Sequence, residues 1–156
     1  MSNVTLEDQR VTIRREFAAP VEQVYAAWTD PEKMARWFAP NVRWRLSSID
    51  MDPRPGGRYD VKMNHLDGDV FHTVGTYQEV VPNERISFTW TWVGGPTGSE
   101  ESLVTVELRA VAGGTELTLT HDRITDQKIR EGTSQGWGGC LDMLESFLAG
   151  MSPLSA

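Results

Sequence analysis

Three histidines (His65, His72 and His121) and one cysteine, Cys140, are the residues of this 156-residue chain best suited to nucleophilic, acid–base or metal chemistry. Their spacing frames no such site. No C-x-x-C or H-E-x-x-H pair occurs, so no metal is expected. The acids of "HLDGD" at 65–69 belong to an Asp67-Gly68 turn, whereas a calcium loop needs several more oxygen ligands in order. No G-x-S-x-G elbow, Walker A loop or dinucleotide fingerprint is present, and "RPGGRY" leads into a strand rather than cradling a phosphate. No cofactor is expected. Cys140 falls among apolar helical positions, where a buried, inert thiol fits better than a nucleophile.

The richer signal is aromatic. "ISFTWTWVGG" at 86–95 sets Ile86, Phe88, Trp90 and Trp92 on alternate positions with hydroxyls between them, so a strand here projects its large apolar groups from one face. The same phase rule groups Tyr59, Val61, Met63 and His65 in "RYDVKMNH", Trp44 with Leu46 in "RWRLS", and Leu117, Leu119 and His121 in "ELTLTH". In "VFHTVGTYQEV" both phases carry apolar residues, so alternation does not decide whether Phe71 and Tyr77 or His72 and Val74 point inward. An interior built for packing alone is more simply made from Leu, Ile and Val. Tryptophan and tyrosine each bring a polar atom that needs a partner.

These strands need a frame. "VTIRREFAA" alternates as a first strand, and "PVEQVYAAWTD" then changes period, with Val21, Val24, Tyr25 and Trp28 on one helical face. Asp30, Pro31 and Glu32 open a second short helix carrying Met34, Trp37 and Phe38. Period-two segments follow as far as "TELTLTHD", joined by short turns at Asp67-Gly68, Pro82-Asn83, Gly94-Gly95-Pro96 and Gly113-Gly114, which predicts an antiparallel meander. From about Asp126 to Ala149 a long helix presents Trp137, Leu141, Leu144 and Leu148 as one stripe, and it alone is long enough to cover the inner face of a curved sheet. Residues 10–150 read as a single domain, with 1–9 and 151–156 as flexible ends.

The chain resembles the SRPBCC (START-like) superfamily of helix-grip proteins, and within it the family of homologues of the activator of the heat-shock-protein-ninety ATPase. The resemblance is carried by "FAAPVEQVYAAWTDPEKMARWFAP", "PGGRYDVKM", "GTYQEVVPNERISFTWTW", "GGTELTLTH" and "GWGGCLDMLESFL", in family order across nearly all of residues 11–149. It implies an α+β fold: a curved antiparallel sheet of six to seven strands wrapped around a long C-terminal helix, with two short helices after the first strand. It also implies an elongated cavity between sheet and helix, used by different relatives for different small molecules. Function has to be argued from that wall, since fold alone does not fix it.

The candidate lining is Trp37, Trp44, Tyr59, Met63, Phe88, Trp90, Trp92, His121, Trp137 and Leu141. For His121 two readings stand: a histidine bonded to a neighbouring hydroxyl or backbone group, or one that meets a ligand's polar end. His65, beside the turn, reads as solvated. Gly132, Gly136, Gly138 and Gly139 crowd the closing helix at about 1 kcal/mol each relative to alanine. Either the helix starts later, with Ser134 as cap, or small residues leave room beneath it beside Trp137. The roomier end of the cavity is expected near Trp90, Trp92, Trp137 and His121.

Binding of a small, largely apolar molecule is the leading expectation. Catalysis of cyclase, dehydratase or hydrolase type in the same cavity is the alternative. A chaperone-activating interaction module ranks third, because the activator that names the family carries a further N-terminal domain. A homodimer remains open. The net charge of -7, from 22 acids and 15 scattered bases, disfavours nucleic acid and anionic membranes as partners. With no apolar run long enough to span a bilayer and a single cysteine, a cytoplasmic protein is expected.

Overall fold

The computed structural model describes residues 2–7, 9–95, 101–151 and 153–154. Its elements run β1 (Ser2–Glu7), β2 (Arg10–Phe17), α1 (Val21–Thr29), α2 (Pro31–Met34), β3 (Trp44–Met51), β4 (Arg58–His65), β5 (Val70–Val81), β6 (Arg85–Trp92), β7 (Ser102–Val111), β8 (Gly114–Asp122) and α3 (Gln127–Leu148). The strands form one antiparallel sheet in the order β1-β2-β8-β7-β6-β5-β4-β3. From β3 to β8 each strand pairs with the next in sequence, as short turns require, and β8 returns to β2. This is the helix-grip architecture, with eight strands rather than six or seven.

The additional strand is β1, which pairs with β2 in the register Val4↔Ile13 and so takes up most of the segment expected to be flexible. Its described side chains are exposed, so pairing of the backbone alone holds it. The two short helices accordingly follow the second strand. At the other end the tail is not free either: Leu154 is buried and its N–H donates to the Arg36 carbonyl at 3.2 Å. Pro96 of the expected Gly94-Gly95-Pro96 turn lies outside the described residues.

Alternation works as the residue types dictate. Val11, Ile13 and Phe17 on β2 and Leu117, Leu119 and His121 on β8 are buried, and Val11 faces His121 across the pair as Ile13 faces Leu119. Register shifts between Leu46 and Ser48 and between Tyr77 and Glu79 bend the sheet. On β5 the inward phase is Phe71, Thr73 and Tyr77. His72 turns outward and bonds Asp60 at 2.8 Å.

Helix α3 begins at Asp126, whose carboxylate accepts from the Ile129 N–H at 3.0 Å. Ser134 is therefore interior, and all four glycines lie within the helix. Two contacts set its position. Arg15, on the inward phase of β2 and 8% exposed, pairs with Asp142 at 2.9 Å and reaches Glu145 at 3.8 Å. Gly139 packs so closely on the connection after α2 that a Cβ there would stand 2.1 Å from the Pro40 carbonyl oxygen.

Alanine should therefore have opposite effects at adjacent glycines. Gly138→Ala meets nothing within 4 Å and is expected to stabilise by about 1 kcal/mol through helix propensity. Gly139→Ala is expected to destabilise by about 1–3 kcal/mol through overpacking. Urea unfolding midpoints of the two variants read the difference, and equal shifts would show that the approach to Pro40 is dispensable.

Candidate functional site: an aromatic cavity under helix α3

The first half of α3 overhangs the sheet without filling the space beneath it. A cavity of about 390 Å³ lies there. Its sheet side is Met63 of β4, Phe71 of β5, Trp90 and Trp92 of β6 and Trp44 of β3, while Phe38 and Pro40 close one side from the connection after α2. The helix side has two neighbouring rows: Lys128, Gly132, Gly136 and Cys140, and beside them Ile129, Thr133 and Trp137. A Cβ at Gly132 or Gly136 would meet nothing within 4 Å, so the missing side chains leave open volume.

The rings form a connected wall. Phe71 lies 5.2 Å from Trp92 and 6.1 Å from Trp90 between centroids, Trp90 lies 5.2 Å from Trp137, and Phe38 lies 5.9 Å from Trp137. These are tilted contacts that leave faces toward the hollow.

Behind the wall a buried polar chain ties the indole of Trp137 to the backbone of Trp90. The Trp137 Nε1–H donates to His121 Nδ1 at 3.0 Å, which fixes the imidazole proton on Nε2. Nε2–H then donates to Ser102 Oγ at 2.7 Å, and Ser102 Oγ–H donates to the Trp90 carbonyl at 3.2 Å. Both ring nitrogens are engaged, and burial pushes the His121 pKa down to about 3, so the ring is neutral at neutral pH. Of the two readings of His121, the structure shows the one in which it bonds a neighbouring hydroxyl. Its ring lies behind Trp90 and Trp137 rather than on the cavity wall.

Five residues expected at the lining are there: Trp44, Met63, Trp90, Trp92 and Trp137. The others are not. Trp37 is fully buried, donates Nε1–H to the Ala27 carbonyl at 3.0 Å and meets Trp28 edge-on at 4.9 Å. Tyr59 and Phe88, 5.4 Å apart, pack with Tyr77 at the far end of the sheet, and the Tyr59 hydroxyl donates to the Thr89 carbonyl. Burial raises both tyrosine pKa values, so these phenols stay neutral. Leu141 is fully buried beneath the helix. The phase rule chose the right face for Tyr59 and Phe88, but it carries no information about distance along the strand from the helix overhang. His65 is half-buried against the Trp44 ring at 4.9 Å rather than fully solvated.

Phe38, Pro40, Lys128, Ile129, Thr133 and Cys140 also line the cavity without having been expected there, Phe71 resolves the phase that alternation left open, and Gly132 and Gly136 are the small residues that leave room beneath the helix. For the helix, the signal existed: stepping the stripe back from Trp137 by fours reaches Thr133 and Ile129. Burial raises the Cys140 pKa and keeps it a thiol. Among the described residues no group of three His, Cys, Asp or Glu side chains could hold a metal ion, and no helix is long and apolar enough to cross a membrane. A shallower, polar depression of about 590 Å³ lies around Arg58, Thr76 and Thr91 on the opposite face of the sheet.

The sequence profile of the "Activator of Hsp90 ATPase homolog 1-like protein" family matches residues 18–149. The chain belongs to this family. Similar solved structures include protein NE0264 of Nitrosomonas europaea, 27% identical with a TM-score of 0.80, covering 94% of this chain and 97% of that one. Protein CV1439 of Chromobacterium violaceum is 27% identical with a TM-score of 0.82, covering 90% and 96%. The AHSA1 protein of Silicibacter pomeroyi is 25% identical with a TM-score of 0.79, covering 90% and 97%. No curated protein matches the chain.

The depressed His121 pKa has a defined consequence for stability. Below the unfolded value of about 6.5 the unfolded chain takes up a proton that the folded chain refuses, so this group destabilises progressively as pH falls toward about 3. His121→Gln is expected to be about 1–3 kcal/mol less stable than wild type at pH 7, with the gap narrowing as pH falls to 4. Urea midpoints of both proteins at pH 7, 6, 5 and 4 check this. A constant gap would contradict it.

Proposed function

We propose that this family member binds a small, largely apolar molecule in the cavity beneath the first half of α3. The observation that carries the reading is the open volume at Gly132 and Gly136 opposite a wall of indole and phenyl rings. Larger residues at these two positions would gain helix propensity, by about 1 kcal/mol each for alanine, and would bury apolar surface as well. A hollow of this size and lining has the properties of a ligand site: concave, mostly aromatic and with few polar groups.

Binding is favoured over catalysis by the chemistry of the wall. Among the described residues no carboxylate or imidazole lines the cavity, Cys140 is a neutral thiol, and the nearest histidine has both nitrogens committed. No acid–base pair is offered to a guest. The family's name describes activation of the Hsp90 ATPase, a property that would act through a surface, and the cavity gives it no support.

Gly136→Leu is the direct test, because a Cβ at this position of the lining meets nothing within 4 Å. Wild-type protein is expected to bind N-phenyl-1-naphthylamine with a rise in probe fluorescence. Gly136→Leu should weaken that binding by about tenfold or more while its unfolding midpoint stays equal or rises. Unchanged probe affinity in the variant would remove this cavity as the site. Native mass spectrometry of gently purified wild-type protein should show a bound small molecule that the variant lacks.

A further inference from the structure

We infer that the guest is a compact aromatic anion, with a carboxylate-type group at Lys128 and its rings against Trp90, Trp92 and Phe71. This rests on the cavity being a binding site, and it follows from the distribution of polar groups around that cavity. Lys128 is the sole charged residue among the described lining, in a chain with seven more acids than bases. It has no ion-pair partner among the described residues.

The acids nearest to it on the helix are already engaged. Asp126 caps the Ile129 N–H, and Glu131 accepts from Gln127 Nε2 at 3.3 Å. Lys128 is exposed at the cavity mouth, in the first turn of a 22-residue helix, where the backbone dipole adds to its positive potential.

The remaining polar side chains of the lining are neutral and do not oppose that charge. The indole N–H groups of Trp44, Trp90 and Trp92 make no hydrogen bond to another described residue, so the wall offers donors. One ammonium, with no carboxylate among the described lining side chains, selects a guest that brings negative charge. The rings select its shape: Phe71 lies 6.1 Å from Trp90 and 5.2 Å from Trp92, both tilted, a surface that a planar ring system can stack on and a flexible chain uses less well.

Isothermal titration of the full chain at low salt with 2-naphthoate, its neutral isostere 2-naphthamide and decanoate tests the inference. Naphthoate is expected to bind at least about fivefold tighter than the amide, and tighter than decanoate. Lys128→Met should bring naphthoate down to the level of the amide while leaving the amide within about twofold, and Lys128→Arg should restore the preference. Equal binding of naphthoate and naphthamide, or no loss in Lys128→Met, overturns the anion while leaving the binding cavity standing. Tighter binding of decanoate overturns the aromatic class. If N-phenyl-1-naphthylamine binds and none of the three does, this inference falls alone. If that probe also fails, the cavity reading falls with it.

Discussion

Helix α3 packs tightly on the rest of the molecule in its second half and overhangs a hollow along one side of its first. Gly139 rests against the Pro40 carbonyl, and Arg15 reaches from the inward phase of β2 to Asp142 and Glu145 three and six residues further on. A guanidinium on the core side of a sheet is tolerable because its charge is met there by two carboxylates at the rim. With the helix held at these places its approach to β2 is set, and its axis carries Gln127 to Gly136 over β4, β5 and β6. The hollow follows from this geometry together with two glycines that decline to fill it.

The interior consequently divides into a solid end and a hollow end. At the solid end Tyr59, Tyr77 and Phe88 meet edge to face, and Val104, Val106, Leu117 and Leu119 fill the sheet beneath the last turns of α3. Between the two ends stands the chain from Trp137 through His121 and Ser102 to the Trp90 carbonyl. Every polar atom in that chain has a partner, which makes a buried histidine affordable and fixes the indole of Trp137 in one orientation. Two walls of the hollow, one on the helix and one on the sheet, are thereby tied to a common anchor behind it.

Most of this frame is legible in the residue pattern, because period two, period 3.6 and turn chemistry are local properties. Asp30 is recognisable as a cap, and the meander follows from its short turns. Strand β1 is the exception: "SNVTLE" shows no buried face, since an edge strand with exposed side chains is specified by backbone pairing, which leaves no mark on composition. The cavity is legible by half. Alternation picks out Trp44, Met63, Trp90 and Trp92 because it reports a face. It cannot separate Trp90 from Phe88, two residues apart on that face, because only the tilt of a helix 40 residues later decides which of them is covered. Phe71 is hidden by a strand apolar on both faces, and Phe38 and Pro40 by the irregular chain that carries them.

Separation of the two ends bears on how such a domain can vary its hollow. Proteins at 27% identity keep this fold with TM-scores of 0.80 and 0.82, so most side chains can be replaced while the frame persists. Replacement is costly where packing is dense, by about 2–5 kcal/mol for truncating a large apolar residue, and cheap where a side chain borders empty space. In this chain the cheap positions are those that line the hollow, such as Lys128, Gly132 and Thr133, all on an overhang that neither the Arg15 ion pair nor the Gly139 contact depends on. The lining can therefore vary with little effect on stability, which is the physical reason that membership of the family fixes the architecture here and leaves the character of the hollow to a few residues at its mouth.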